Sequence, residues 1–204
     1  MKRMLFIYNP MAGKEQIKNK LSDIVQIFCK SGFEITIFAT QGPEDATNIV
    51  KERGEEYVVC SGGDGTMNEV ATGYMNITKK PICGYIPAGT VNDFASSLKI
   101  PKIMKKAAQL ITQGSVFRCD LGQFNDRYFT YVCGFGAFTE VSYQTPQEWK
   151  NALGKAAYFI EALKHIAEIK AHHMKIIYDG NEIEDNFILG LVSNSVSVAG
   201  YKAY

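Results

Sequence analysis

Four short apolar runs, each followed by a helical pattern, restrict this chain to a sheet of parallel strands covered by helices. Residues 4–8 (MLFIY), 34–39 (EITIFA), 57–61 (YVVCS) and 82–86 (ICGYI) read as strands. A run with little polar alternation is what a strand buried on both faces looks like. Between the first two, residues 15–29 place Ile17, Leu21, Ile24, Val25 and Phe28 at helical spacing. Residues 43–53 form a predicted helix with Pro43, Glu44 and Asp45 in its first turn, where they suit the dipole. Residues 67–74 form another, and two short helices follow near 93–98 and 102–113. Alternation of this kind implies an α/β fold, and ligands in such sheets bind beyond the carboxyl ends of the strands.

The pattern changes after Ser115. Residues 116–121 and 127–134 read as strands around Asn125-Asp126, and residues 153–170 as a helix with Leu153, Ala156, Ala157, Ile160, Leu163 and Ile166 on one face. Residues 173–178 and 182–193 are strands around Asp179-Gly180, a strong hairpin signal. The expected organisation is an N-terminal α/β domain over 1–121 and a mostly antiparallel β domain over 122–204. About four strands in the second half leave open edges. The reading is therefore that the second domain is incomplete, with pairing of those edges in a homodimer as the other way to cover them.

Charge narrows the function. The 22 Lys plus Arg against 21 Asp plus Glu leave a formal net charge of +1, without the basic excess of a nucleic-acid binder. Cys29, Cys60, Cys83, Cys119 and Cys133 are odd in number and form no CxxC pair. They read as buried free thiols of a cytoplasmic protein. The N-terminal apolar run is too short for a signal peptide, and no run approaches the ~20 residues of a membrane span. His165, His172 and His173 lack partners at metal-binding spacing. Trp149 reads as packing.

Three loops carry the chemistry, each directly after a strand. The first is Asn9-Pro10-Met11-Ala12-Gly13-Lys14, whose small residues allow close approach of a ligand to the next helix start. The second is Gly62-Gly63-Asp64-Gly65-Thr66, followed by Met67-Asn68-Glu69. Three glycines in four positions imply unusual backbone angles or close contact. Thr66 is a good N-cap, and its hydroxyl is able to bond a phosphate. Asp64 would repel a phosphate unless a cation or a donor intervenes, so it points to Mg2+ or a neighbouring Lys or Arg. The loop matches neither the P-loop nor the GxGxxG pattern. The third is Pro87-Ala88-Gly89-Thr90-Val91-Asn92-Asp93-Phe94, in which Asn92 and Asp93 are good helix caps.

The GGDGTxNE and PxGTxND pair behind an N-terminal NPxxG resembles the catalytic domain of the diacylglycerol, sphingosine and ceramide kinases. Residues 136–147 (GAFTEVSYQTPQ) look like the bacterial YegS/BmrU-like branch. GGDGT alone is shared with NAD kinases and phosphofructokinases, and PAGTVNDFA narrows the match to lipid kinases. The resemblance implies a phosphofructokinase/NAD-kinase-like α/β nucleotide-binding domain followed by a β-sandwich domain. It implies ATP and Mg2+ as cofactors and a lipid hydroxyl, such as that of diacylglycerol, as acceptor. The enzyme would meet that lipid peripherally at a membrane surface.

Carried over by match, Asn9, Pro10, Met11, Ala12, Gly13, Thr40, Gly63, Asp64, Gly65, Thr66, Met67, Asn68, Glu69 and Thr90 would line the ATP site. Asp64 and Asp93 match acidic positions near the phosphates, and Asp120 matches a third that helps organise Mg2+. No metal ligand is assigned from the residues themselves. In the family, further strands, Mg2+ ligands and the carboxylate base lie beyond the point matched by Tyr204, so these residues alone are expected not to phosphorylate a lipid. The alternatives are an NAD kinase-like phosphotransferase, which PAGTVNDF disfavours, and a non-catalytic nucleotide-binding relative.

Overall fold

A computed structural model describes residues 1–13, 16–136, 170–194, 197–198 and 201–202. Four parallel strands form the main sheet: β1 (Lys2–Tyr8), β2 (Phe33–Ala39), β3 (Tyr57–Gly62) and β4 (Ile82–Pro87). Their order is β2-β1-β3-β4. The chain leaves β1 to build β2 on one side and then returns to build β3 on the other. Phe6 therefore pairs with Ile37 in β2 and with Val59 in β3. That reversal places the carboxyl ends of β1 and β3 side by side at a topological switch point.

Alternate residues of β1 feed two separate cores, which explains its uninterrupted apolar run. Met4 and Phe6 pack with Ile24 and Phe28 of α1 (Ile17–Lys30) and Ala107 and Ala108 of α5 (Met104–Gln113). Leu5 and Ile7 face the other way, toward Ala46 and Val50 of α2 (Asp45–Glu52) and Val70 of α3 (Asp64–Met75). A short helix α4 (Asp93–Ser97) follows β4. A helix side chain in such a core stabilises by roughly 1.5–3 kcal/mol, so the two layers fix the sheet and its loop ends together.

Antiparallel pairs follow the α/β part. The hairpin of β5 (Gly122–Phe124) and β6 (Arg127–Phe129) turns at Asn125, whose φ of 56° is left-handed. The hairpin of β8 (His172–Tyr178) and β9 (Asn181–Phe187) turns at Asp179 (φ 47°) and Gly180 (φ 79°), the geometry that Asp-Gly favours. β7 (Val132–Gly136) pairs with β10 (Leu189–Ser193), and β11 (Ser197–Val198) with β12 (Tyr201–Lys202). By packing there are two compact units, Met1–Val132 with Ser193–Tyr204, and Cys133–Val192. Among the described residues no helix is long and apolar enough to cross a membrane.

Several expectations change. The predicted strand 116–121 forms no strand, with Val116 70% and Phe117 59% exposed. The predicted strand 127–134 breaks at Thr130-Tyr131, because the Thr130 N–H and hydroxyl leave the ladder for Asn68 Oδ1. The run 182–193 divides at Ile188, since β9 pairs with β8 and β10 with β7. All five cysteines are free, but only Cys60 is fully buried, whereas Cys29, Cys83 and Cys119 are exposed. The predicted helix 153–170 falls almost wholly outside the described residues, as do Lys14, Trp149, His165 and all of the stretch 136–147 after Gly136.

Candidate functional site

The three loops meet at the carboxyl ends of β1, β3 and β4, held by backbone contacts that larger residues would forbid. The Asn9 N–H donates to Ser61 O at 2.9 Å. Asn9 Oδ1 accepts from the Met11 N–H at 2.9 Å, and Asn9 Nδ2 reaches Thr66 Oγ1 at 3.3 Å. Gly13 has a φ of +56°, and a Cβ there would lie 2.3 Å from Ala88 O. The close approach excludes a side chain and the positive φ disfavours one, so glycine lets the first loop meet the third. The second loop meets the third in the same way. The Ala88 N–H donates to Gly62 O at 2.8 Å, and a Cβ on Gly89 would lie 2.5 Å from Gly63 Cα.

Asp64 joins the second loop to α4. Its Oδ2 accepts from the Asp93 N–H at 3.1 Å and its Oδ1 from the Phe94 N–H at 3.2 Å. The donors that a carboxylate needs here are thus supplied by the start of α4. Burial raises its carboxyl above the ordinary 3.8, and these two N–H bonds pull the other way. Asn92 occupies the N-cap of α4 with a left-handed φ of 58°, yet makes no side-chain cap bond. Instead its Oδ1 accepts from the Gly89 N–H at 2.9 Å and its Nδ2 donates to Gly89 O at 2.7 Å, which closes the third loop. Tyr85 OH adds a 3.1 Å bond to Gly62 O. Thr66, read as an N-cap, lies inside the first turn of α3, because the helix already starts at Asp64 behind Gly63.

The remaining sequence candidates divide. Thr40 is buried, and its N–H donates to Tyr8 O at 3.0 Å, beside the first loop. Met11, Gly65 and Thr90 are exposed, and a Cβ on Gly65 would meet nothing within 4 Å. Met67 packs into the core. Asn68 bonds Thr130, and Glu69 Oε2 accepts from the Ala46 N–H at 3.3 Å. The second half of the motif therefore anchors α3, and the first half forms the loop surface. Asp93 is 2% exposed, whereas Asp120 is exposed in the unpaired segment 115–121. Among the described residues no group of three or more His, Cys, Asp or Glu side chains is placed to hold a metal. Asp64, Asp93 and Asp120 do not form a cage for Mg2+.

Chemically, the loops offer the first turn of α3 without a side-chain cap. The leading N–H groups of a helix have no partner in the helix, and its dipole favours negative charge there. Gly65, where a Cβ would meet nothing within 4 Å, leaves the backbone of this turn open to a phosphate chain, whereas Gly62 packs on Thr66 and Gly63 on Gly89. A cavity of about 260 Å³ lined by Gln16, Lys20, Lys102 and Lys105 lies off these loops, between the starts of α1 and α5. Sequence reasoning missed Asn92 as the loop clasp, taking it for a cap. It also passed over Asn194, whose only signal was the polar break Ser193-Asn194-Ser195 in an apolar run.

Comparison with known proteins agrees with this geometry. Residues 3–124 match the family model described as diacylglycerol kinase catalytic domain. A diacylglycerol kinase of Staphylococcus aureus (strain MRSA252) is 38% identical over 205 residues, 98% of this chain and 65% of the relative. One from Bacillus subtilis (strain 168) is 37% identical over 206 residues, 99% of this chain and 68% of the relative. A diacylglycerol kinase crystal structure from Bacillus anthracis str. Sterne superposes with a TM-score of 0.78 at 30% identity, covering 99% of this chain and 67% of that one. The chain thus spans about two thirds of the length of these relatives, and 65% of the Staphylococcus aureus one.

Proposed function

Because this chain belongs to the diacylglycerol kinase catalytic-domain family, we propose that it serves an ATP-dependent lipid kinase, moving the γ-phosphoryl group of ATP to a lipid hydroxyl such as that of diacylglycerol. The observation that carries this reading is the convergence of three glycine loops at the switch point of the sheet, with Gly13 against Ala88 and Gly63 against Gly89. The phosphate chain lies over Gly63, Gly65 and Thr66 and takes hydrogen bonds from the free N–H groups of α3. Asn9 orients the Thr66 hydroxyl, and Thr40 borders the first loop. The acceptor oxygen gains the phosphoryl group, ADP leaves, and the hydroxyl proton goes to a carboxylate base, while Asp64, Asp93 and Asp120 are the acidic groups proposed near the phosphates. Catalysis of this kind is mostly positioning and electrostatic stabilisation.

Magnesium enters this proposal only as the partner of the nucleotide. Mg2+ keeps several waters and is bound largely by phosphate oxygens with one or two carboxylates, and the described residues supply no cage of their own. The lipid is met at a membrane surface by peripheral association. The test is transfer of labelled γ-phosphate by the full-length protein, offered diacylglycerol and NAD in parallel. Label in phosphatidic acid is the expected result. Label in NADP, or in neither acceptor, overturns the reading.

A further inference from the structure

Thr130 is fully buried, and every polar group it carries is engaged. Asn68 Oδ1 accepts from the Thr130 N–H at 2.9 Å and from its hydroxyl at 2.8 Å. The Thr130 carbonyl accepts from Asn194 Nδ2 at 3.3 Å. A second proton on the same nitrogen goes to the carbonyl of Asp120 at 2.7 Å, and an amide nitrogen has two protons to give. The Asn194 N–H adds a 2.7 Å bond to Tyr131 O. A continuous chain of hydrogen bonds therefore runs from α3, through Asn68, Thr130 and Asn194, to the backbone of Asp120. Thr72, one turn along α3 from Asn68, supports it by accepting the Tyr128 N–H at 3.0 Å.

Segment 115–121 makes no strand ladder, and its side chains are largely exposed. Among the described residues the hydrogen bond that reaches it is the one from Asn194. Neither core holds a side chain from this segment. The backbone of Asp120 is thus tied to a side chain 74 residues later, through a network whose far end is the helix that begins at the glycine loop.

We propose that Asn194 is a positioning residue for phosphoryl transfer: by clasping the backbone of Asp120 and of Thr130 it ties the segment that carries the Asp120 carboxylate to α3. This inference rests on the kinase reading above. Asn194 is itself exposed, and its side chain makes one exposed bond, to Asp120 O, and one part-buried bond, to Thr130 O, so its replacement removes two hydrogen bonds and no core packing. The fold is therefore retained when the clasp is broken.

The test uses the full-length protein, its Asn194→Asp variant and its Asn194→Gln variant. Asn194→Asp keeps the shape but sets a carboxylate oxygen against two carbonyls, whereas Asn194→Gln keeps the two donors. Two readouts are taken: limited tryptic cleavage after the exposed Arg118, which samples the mobility of segment 115–121, and kcat with KM for ATP in transfer to diacylglycerol. In Asn194→Asp we expect cleavage about tenfold faster, kcat at least about tenfold lower, and KM for ATP within about threefold of wild type, with partial recovery in Asn194→Gln. Unchanged cleavage overturns the clasp. Faster cleavage with normal kcat overturns the positioning role. A wild type that transfers no phosphate overturns the kinase reading and the role with it, and is distinct from failure of the clasp because cleavage still accelerates.

Discussion

Replacing Asp64 by asparagine exchanges a carboxylate that accepts two N–H groups for an amide that accepts one. Asp64 Oδ2 and Oδ1 bind the Asp93 and Phe94 N–H groups at 3.1 and 3.2 Å. In Asp64→Asn one of those N–H groups faces an NH2 donor instead. Losing a helix cap costs about 0.5–2 kcal/mol, and a half-buried orphan N–H costs about 1–3 kcal/mol. Relief of the charge buried at Asp64 offsets part of this, leaving a loss of about 1–2 kcal/mol, or roughly 2–8 °C in Tm for a chain of this size. Urea unfolding with a helix-sensitive signal measures it. A parallel transfer assay should show at least about tenfold lower kcat, because α4 and the third loop are no longer held to α3.

The pH dependence has a definite sign. Burial raises the folded carboxyl above 3.8, so the folded state holds the proton more tightly than the unfolded one. That contribution to stability is complete below 3.8 and is lost as pH rises through the folded value. The stability difference between wild type and Asp64→Asn, in which other titrations cancel, should therefore narrow as pH rises toward neutrality. A variant as stable as wild type, with normal turnover and a pH-independent difference, would refute the capping role.

Gly89→Ala puts a Cβ 2.5 Å from Gly63 Cα and 2.8 Å from Asn92 Oδ1. The contact is with backbone and cannot be relieved by a rotamer change, so we expect a loss of about 1–3 kcal/mol in urea unfolding, and unchanged stability would show that the loops separate freely. Ser61 Oγ is buried with no hydrogen-bond partner among the described residues, so Ser61→Ala should be neutral or stabilising by up to about 1 kcal/mol. Loss of more than that would reveal a partner for the hydroxyl.

The parallel sheet could be read from the residues because β1, β3 and β4 are apolar on both faces, and that property belongs to local sequence. The convergence of the loops followed from the same reasoning, since strand ends in such a sheet lie together. What could not be read was the partner of each polar side chain. Asp64 finds its donors 29 and 30 residues away, and Asn92 caps nothing because Asp64 already does so. Asn68 and Glu69 belong to the motif by position, but the turn of α3 carries them away from the loop surface. Strand 116–121 failed for a related reason: among the described residues no strand pairs with its β-forming residues, and propensity yields to that.

Titration calorimetry with ATP, in the presence of Mg2+, on wild type and Gly63→Val tests whether the glycine loops hold the phosphates. A Cβ at Gly63 already comes within 3.4 Å of Gly89 Cα, and the two γ-carbons of valine fill the remaining space over the first turn of α3. With circular dichroism establishing that the variant is folded, the account predicts saturable binding by wild type and none by Gly63→Val. Equal affinity in the two folded proteins would place the nucleotide elsewhere.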